Sequence, residues 1–169
     1  ISSLAADELP AVIVNMMRGG PGLGNILPSQ GDYFQATRGG GHGDYRTIVL
    51  APASVQELAD LTMDAFELAD RYRNPVIILA DGMMGQMMEP VEFNTPPPRQ
   101  YPECYVLKGM GRGKSKFIRA LILDAIRMEE HNWKLYRKYQ VIASKEVRFE
   151  TFWTDDAEIL IVAYGTAAR

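Results

Sequence analysis

The sequence predicts an α/β fold built on a parallel sheet, and three observations carry that expectation. Val76-Ile77-Ile78-Leu79-Ala80 is a continuous β-branched and aliphatic run, the mark of a strand buried on both faces. A capped, amphipathic segment stands just before it in residues 54–72. Glycine-rich stretches follow short apolar runs, as connections at the carboxyl ends of parallel strands do.

Taken in order, the elements alternate. Ala11 to Met16, after Pro10, is short and apolar enough for a buried strand. A glycine-rich stretch runs from Arg18 to Gly31, and Thr47 to Leu50 reads as a second strand closed by Ala51-Pro52. Ser54-Val55-Gln56-Glu57 has capping-box spacing, in which the Ser hydroxyl takes the Glu amide and the carboxylate returns to the Ser amide. Val55, Leu58, Ala59, Ala65, Phe66, Ala69 and Tyr72 then mark one face of a helix. Asn74-Pro75 stops it, because the residue before proline is pushed out of the helical region. Strand, loop, strand, helix, strand spells a parallel sheet. Beyond it, Phe117 to Tyr139 reads as helix, Val147 to Trp153 as an edge or hairpin strand, and Ile159 to Ala163 as a further buried strand.

Charge divides the chain. Residues 1–90 hold 5 basic and 11 acidic residues with no lysine, whereas residues 91–169 hold 13 basic and 10 acidic. The change falls near Asn94-Thr95-Pro96-Pro97-Pro98, which cannot continue a helix or a central strand and is the expected linker. The divisions that follow are 1–93 for the α/β domain, 94–156 for a linker and helical connector, and 157–169 for the first strand of a second α/β domain. The chain opens at Ile1 with no charged leader, and no crossover helix follows the last apolar run. The expectation is a piece of a longer polypeptide, cut at both ends.

Composition removes several function classes. At 169 residues, 47% hydrophobic and 23% charged, the chain is globular in character. No apolar run approaches the roughly 18 residues of a spanning helix. A net charge of -3 argues against nucleic acid as a partner. A single cysteine, Cys104, excludes an internal disulfide framework and points to a reducing compartment, hence a cytoplasmic protein. With only His42 and His131 beside it, a zinc-type site is not expected, and no metal ligand is assigned.

Three constellations could carry chemistry. Arg18-Gly19-Gly20-Pro21-Gly22-Leu23-Gly24-Asn25 follows a buried strand, where glycines let backbone approach a ligand and Arg18 offers a planar fork for carboxylate or phosphate. It departs from the dinucleotide pattern G-x-G-x-x-G, since Asn25 or Leu27 occupies the last position. Its plain alternative is a solvated surface loop. In Arg38-Gly39-Gly40-Gly41-His42-Gly43-Asp44-Tyr45-Arg46 the glycines leave the imidazole accessible, and Asp44 could orient it. The alternative there is a hinge with a solvated histidine. Lys108-Gly109-Met110-Gly111-Arg112-Gly113-Lys114-Ser115 misses the phosphate-loop pattern, because Lys108 stands where a glycine is needed. A solvated basic loop from Lys108 to Arg119 is the simpler reading. Met83, Met84, Met87 and Met88 read first as packing residues.

The blocks Val12 to Asn25, Gly40 to Arg46, Leu50 to Glu57, Tyr72 to Val76 and Asp81-Gly82, in that order and spacing, resemble the α-type subunit of 2-oxoacid:ferredoxin oxidoreductases. The tail from Glu129-Glu130-His131-Asn132 to Ala163-Tyr164-Gly165-Thr166 is similar to its connector and the start of its C-terminal domain. Pro21-Gly22-Leu23-Gly24-Asn25 resembles the branched-chain type, which acts on 3-methyl-2-oxobutanoate (2-ketoisovalerate). The 2-oxoglutarate type more often has Ser-Thr where Gly22-Leu23 stands here.

The resemblance implies a thiamine-diphosphate-binding domain of pyrimidine type over residues 1–93. It implies oxidative decarboxylation of a 2-oxoacid, delivery of the acyl group to coenzyme A, and passage of electrons through iron–sulfur clusters to ferredoxin. Arg18 matches the family arginine for the substrate carboxylate, and Leu23 sits where the rest of the substrate is read. Gly19, Gly20, Pro21, Gly22, His42 and Asp44 match segments near the cofactor. The family's aminopyrimidine glutamate lies upstream of Ile1, and one cysteine cannot ligate a cluster that takes about four thiolates. The resemblance therefore puts the clusters, the diphosphate and Mg2+ on partner subunits, and no catalytic residue on this chain. Two other readings remain: a non-catalytic assembly subunit docking through Met83 to Met88 and the basic run from Lys108 to Arg119, and a stand-alone phosphate binder, which neither glycine pattern favours.

Overall fold

A computed structural model of the chain describes residues 1–93 and 118–169. The expected linker at Asn94, Cys104, the basic run from Lys108 to Lys116 and the expected helix start at Phe117 lie outside the described residues.

Three parallel strands form the sheet: β1 (Ala11–Met17), β2 (Ile48–Leu50) and β3 (Pro75–Asp81), in the order β1-β3-β2. The register sets Ala11 against Pro75 and Met17 against Asp81, and Ile48 against Val76. All of β3 is buried, which is why its sequence shows no polar alternation. Val76 and Ile78 face one layer with Ile48, Leu50, Ala65, Leu68 and Ala69, while Ile77 and Leu79 face the other with Met17 and Ala36.

The helices α1 (Ser2–Ala6), α2 (Tyr33–Arg38), α3 (Val55–Tyr72) and α4 (Ala125–Lys145) surround this sheet. Helix α3 is the sequence-predicted one and supplies the Ala65, Leu68 and Ala69 layer. Ser54 Oγ caps it by accepting from Glu57 N at 3.1 Å. The reciprocal half of the cap differs from expectation: Glu57 Oε2 takes the Ala53 N–H at 2.7 Å, one residue further out than the Ser54 amide. Arg73, in the left-handed region at φ 48°, ends the helix, and its N–H returns to Ala69 O. Next to it Asn74, fully buried, donates from Nδ2 to Arg46 O at 3.0 Å and Pro75 O at 3.2 Å. That side chain ties the start of β2 to the start of β3.

The later elements depart from expectation. Helix α4 begins eight residues after Phe117, where Asp124 Oδ1 caps Arg127 N at 2.9 Å, and runs on to Lys145. Its docked stripe is His131, Leu135, Lys138, Ile142 and Glu146. His131 Nε2 donates to Ala6 O at 3.0 Å, Lys138 Nζ donates to Arg73 O at 3.2 Å, and Lys134 and Lys138 pair with Glu8. Tyr72 donates its hydroxyl to Glu146, and Ile142 packs on the first core layer. The stripe continues past Tyr139, so the helix does too. The expected strands Val147 to Trp153 and Ile159 to Ala163 are irregular and exposed. A strand exists only where a neighbour completes its ladder, and among the described residues no strand lies beside either run. Helix α2, between two glycine-rich stretches, was not expected.

Two predictions follow from this packing. Asn74→Ala removes two buried hydrogen bonds at the start of the sheet and should destabilise the fold by about 1–3 kcal/mol in denaturant titration. Burial alone would raise the Glu8 pKa, but the hydrogen bond from Lys134 and the charge of Lys138 outweigh it and hold the carboxyl below its ordinary value. Its contribution is therefore complete above the ordinary carboxylate range and is lost as pH falls through the lowered value. Melting curves between neutral and acid pH should show that loss, and Glu8→Gln should flatten it.

Candidate functional site

Because the strands are parallel, Met17, Leu50 and Asp81 finish at one end of the sheet, the end where open parallel sheets bind ligands. Asp81, only 4% exposed, organises it. Its Oδ1 accepts from Met83 N at 2.9 Å and Met84 N at 3.2 Å, and its Oδ2 accepts from the Thr166 hydroxyl. The next residue, Gly82, donates its N–H to Met17 O at 3.0 Å, one residue before Arg18. Of the methionines, Met84 is packed inside as expected, while Met88 is almost fully exposed.

The segment around Tyr164-Gly165-Thr166 also belongs to this end of the sheet. Gln30 Nε2 donates to Tyr164 O at 2.9 Å, and the Tyr164 hydroxyl donates to Gln30 O at 3.3 Å. Gly165 is buried at φ 59°, where a Cβ would stand 3.2 Å from Gln30 Nε2. Connections from β1, β3 and the chain's last residues thus converge. The only sequence signal was the Tyr-Gly-Thr triplet, and nothing in it told where the triplet would dock.

The loop after β1 folds on its own arginine. An isolated bridge between Arg18 and Pro28 pinches its base, and Gly19 N donates to Leu27 O at 2.9 Å. Arg18 Nη1 donates to the carbonyls of Leu23, Gly19 (3.2 Å) and Asn25 (3.3 Å), and Nη2 donates to Gly22 O at 3.2 Å. Gly24 sits at φ 49°, and a Cβ there would lie 1.9 Å from Gly19 O and 2.8 Å from Arg18 Nη1. Only glycine fits. Gly20 and Gly22 face open space, and Pro21 O takes the Gly24 N–H at 3.1 Å. Leu23 is 95% exposed and Ile26 90%. Arg18 and Leu23 are thus brought together on one exposed loop.

His42 and Asp44 are placed otherwise. Both are exposed, and neither has a hydrogen-bond partner among the described residues, so Asp44 does not orient the His42 ring. The glycines around them splay the two side chains outward. The segment is held instead by Tyr45, buried, whose hydroxyl accepts from Gly40 N at 3.1 Å. Gly40 and Gly41 line a cavity of about 360 Å3 together with Asn15 and Thr47. Asn15 Nδ2 in turn donates to Asp32 Oδ2 at 3.1 Å, tying β1 to α2.

The family comparison rests on this architecture. Residues 1–111 match the family model described as "Pyruvate flavodoxin/ferredoxin oxidoreductase, thiamine diP-bdg". The chain belongs to this family. It is 54% identical, over its whole length, to the ketoisovalerate oxidoreductase subunit VorB of Methanothermobacter marburgensis, covering 48% of that protein. It is 35% identical over 98% of its length to the 2-oxoglutarate synthase subunit KorA of the same organism, covering 51% of it. The chain thus spans about half the length of the curated relatives it matches. A solved structure, 2-oxoglutarate:ferredoxin oxidoreductase from Magnetococcus marinus with 2-oxoglutarate, coenzyme A and succinyl-CoA bound, superposes with a TM-score of 0.65. That match, at 23% identity over 84% of this chain and 30% of the other, shows the fold.

The family's description carries thiamine diphosphate. Open backbone at Gly20 and Gly22 leaves room for close approach by a ring. Among the described residues no group of three His, Cys, Asp or Glu side chains could hold a metal ion. No helix among them is long and apolar enough to cross a membrane.

Gly24→Ala tests the loop geometry directly. Amide exchange at Gly19, Asn25 and Leu27 should accelerate, while the melting temperature stays near that of wild type. A loop that keeps its protection would show that the Arg18 wrap tolerates a Cβ.

Proposed function

We propose that this chain is part of the thiamine-binding subunit of a 2-oxoacid:ferredoxin oxidoreductase acting on a branched-chain 2-oxoacid. The complex would convert that acid to its acyl-CoA and pass the electrons to ferredoxin. The observation that carries the reading is the exposed loop on which a guanidinium and an apolar side chain stand together, in a family member most of whose curated matches are named for 2-oxoacids. Thiamine diphosphate supplies the electron sink that 2-oxoacid decarboxylation needs. This chain's own residues bind and orient: Arg18 takes the carboxylate through charge-assisted hydrogen bonds, and Leu23 meets the rest of the substrate.

Leucine where a hydroxyl would stand favours an apolar tail over a second carboxylate. The ketoisovalerate name of a relative at 54% identity supports the same choice. Gly19, Gly20, Pro21 and Gly22 are assigned to the cofactor's ring end, with His42 and Asp44 at the edge of that site. The diphosphate, Mg2+ and iron–sulfur clusters are assigned to partner subunits, with coenzyme A and ferredoxin as further partners in a cytoplasmic complex. The divisions 1–93, 94–156 and 157–169 belong to the same proposal.

A non-catalytic assembly role is the second reading, favoured by the exposure of Met83 and Met88 beside the site. Anaerobic, coenzyme-A-dependent reduction of a viologen dye by the assembled complex separates the two. Branched-chain 2-oxoacids should outpace pyruvate and 2-oxoglutarate. Arg18→Ala should lower kcat/KM roughly 10- to 100-fold without dissociating subunits, the loss of a charged hydrogen-bonding pair. Turnover that survives Arg18→Ala, or assembly that fails only when Met83 and Met88 are changed, would favour the assembly role. If no 2-oxoacid reduces the dye, the enzymatic reading falls.

A further inference from the structure

Gripping a carboxylate at Arg18 while reading the substrate's tail at Leu23 requires a fixed separation between the two. The loop shows how that separation is held. Arg18 Nη1 donates directly to Leu23 O, so the anchor and the reader are linked through one bond. Nε has no partner among the described residues, and Nη2 keeps a second N–H beyond the one given to Gly22 O, so the Nε–Nη2 edge of the guanidinium can meet a carboxylate while Nη1 and Nη2 hold the loop.

Asn25 closes the same ring at three points. Its N–H donates to Gly19 O at 2.9 Å, its carbonyl accepts from Arg18 Nη1 at 3.3 Å, and its Oδ1 accepts from Leu27 N at 2.9 Å. The side chain also lies against Gly19, where a Cβ would stand 2.5 Å from Asn25 Oδ1. Asn25 therefore braces both the strand end that carries Arg18 and the returning arm after Leu23. Of its three bonds, only the one through Oδ1 depends on the side chain.

We infer that Asn25 is a positioning and specificity-determining residue: by fixing Leu23 relative to Arg18, it sets which 2-oxoacid tails the loop accepts. The inference rests on the roles given to Arg18 and Leu23 above. Asn25 acts through them, with its side-chain acceptor committed to Leu27.

The test compares Asn25→Ala and Asn25→Asp in the assembled complex, by hydrogen exchange of the loop amides and by kcat/KM on branched-chain and unbranched 2-oxoacids. Alanine removes the acceptor for Leu27 N–H, whereas aspartate keeps it. The substrates compared are monocarboxylates, on which the added charge of aspartate acts alike, so that it cancels in the ratio between them. Asn25→Ala should speed exchange at Leu27 and Gly19 and lower the branched-over-unbranched ratio by at least about fivefold, within the discrimination one methylene provides. Asn25→Asp should restore both to within about twofold, since the same Asx-type bond re-forms. Faster exchange with an unchanged ratio would make Asn25 a stiffener of the loop only, and the specificity role would be overturned. Unchanged exchange would overturn the brace itself. A wild-type complex inactive on every 2-oxoacid would end the specificity claim along with the functional reading, and the exchange data would still judge the brace.

Discussion

Strand β3 carries a ladder on each edge and a packed layer on each face, and that double commitment sets the geometry of the rest. A strand so placed has no polar face to spare, hence its unbroken apolar sequence and the complete burial of Pro75–Asp81. Parallel pairing on both sides also forces every strand to finish at the same end of the sheet. The site is a consequence of that alignment. Asp81, the last residue of β3, spends one carboxylate oxygen on the turn that follows and the other on Thr166. Gly82 then bonds to the end of β1, so the origin of the Arg18 loop is fixed by the central strand.

From that fixed origin the loop is shaped by an unusual exchange of roles. In most loops, turn hydrogen bonds between backbone groups or from Asn, Asp and Ser set the path. Here a guanidinium gathers four carbonyls, and glycines are needed where the chain crowds round it, above all at Gly24. Such a wrap points carbonyl oxygens inward and leaves side chains to face outward. Leu23 and Ile26 are exposed for that reason, with the loop interior already filled by Arg18.

What could be read from the sequence follows from how local each determinant is. The α3 cap, its apolar stripe and the β3 run lie within a few residues of one another, and each predicted its element. The glycines after β1 marked the loop, at whose base Arg18 stands. Glu57 was misjudged by one residue, because capping-box spacing does not say which of two neighbouring amides a flexible carboxylate will take. The runs at Val147 and Ile159 had the right residues and no partner ladder, which no window of sequence can reveal. The roles of Asn25 and Thr166 were equally hidden. Each depends on an arrangement in space: Asn25 on the wrap around Arg18, and Thr166 on a contact 85 residues away.

The distribution of apolar surface extends this reasoning beyond the sheet. Val14 on β1 is 55% exposed, whereas Val12 two residues before it packs against the first core layer. On the outer side of α4, Trp133 and Tyr136 meet edge to face at 5.7 Å and are half exposed, while the docked stripe of the same helix is held by Leu135 and the Glu8 pairs. Ile159 to Val162 is exposed throughout. Contiguous exposed apolar surface marks interfaces, whereas single exposed apolar side chains are ordinary. Their position matters as much as their extent. Leu23 and Ile26 on the loop after β1 and Met88 after β3 are the exposed apolar residues that belong to the carboxyl-end site, so whatever covers them would also wall it. A substrate carboxylate bound to Arg18 would then lie in a desolvated cleft between surfaces, where a charge-assisted pair is worth most. That physical need is what favours the shared site proposed for this loop.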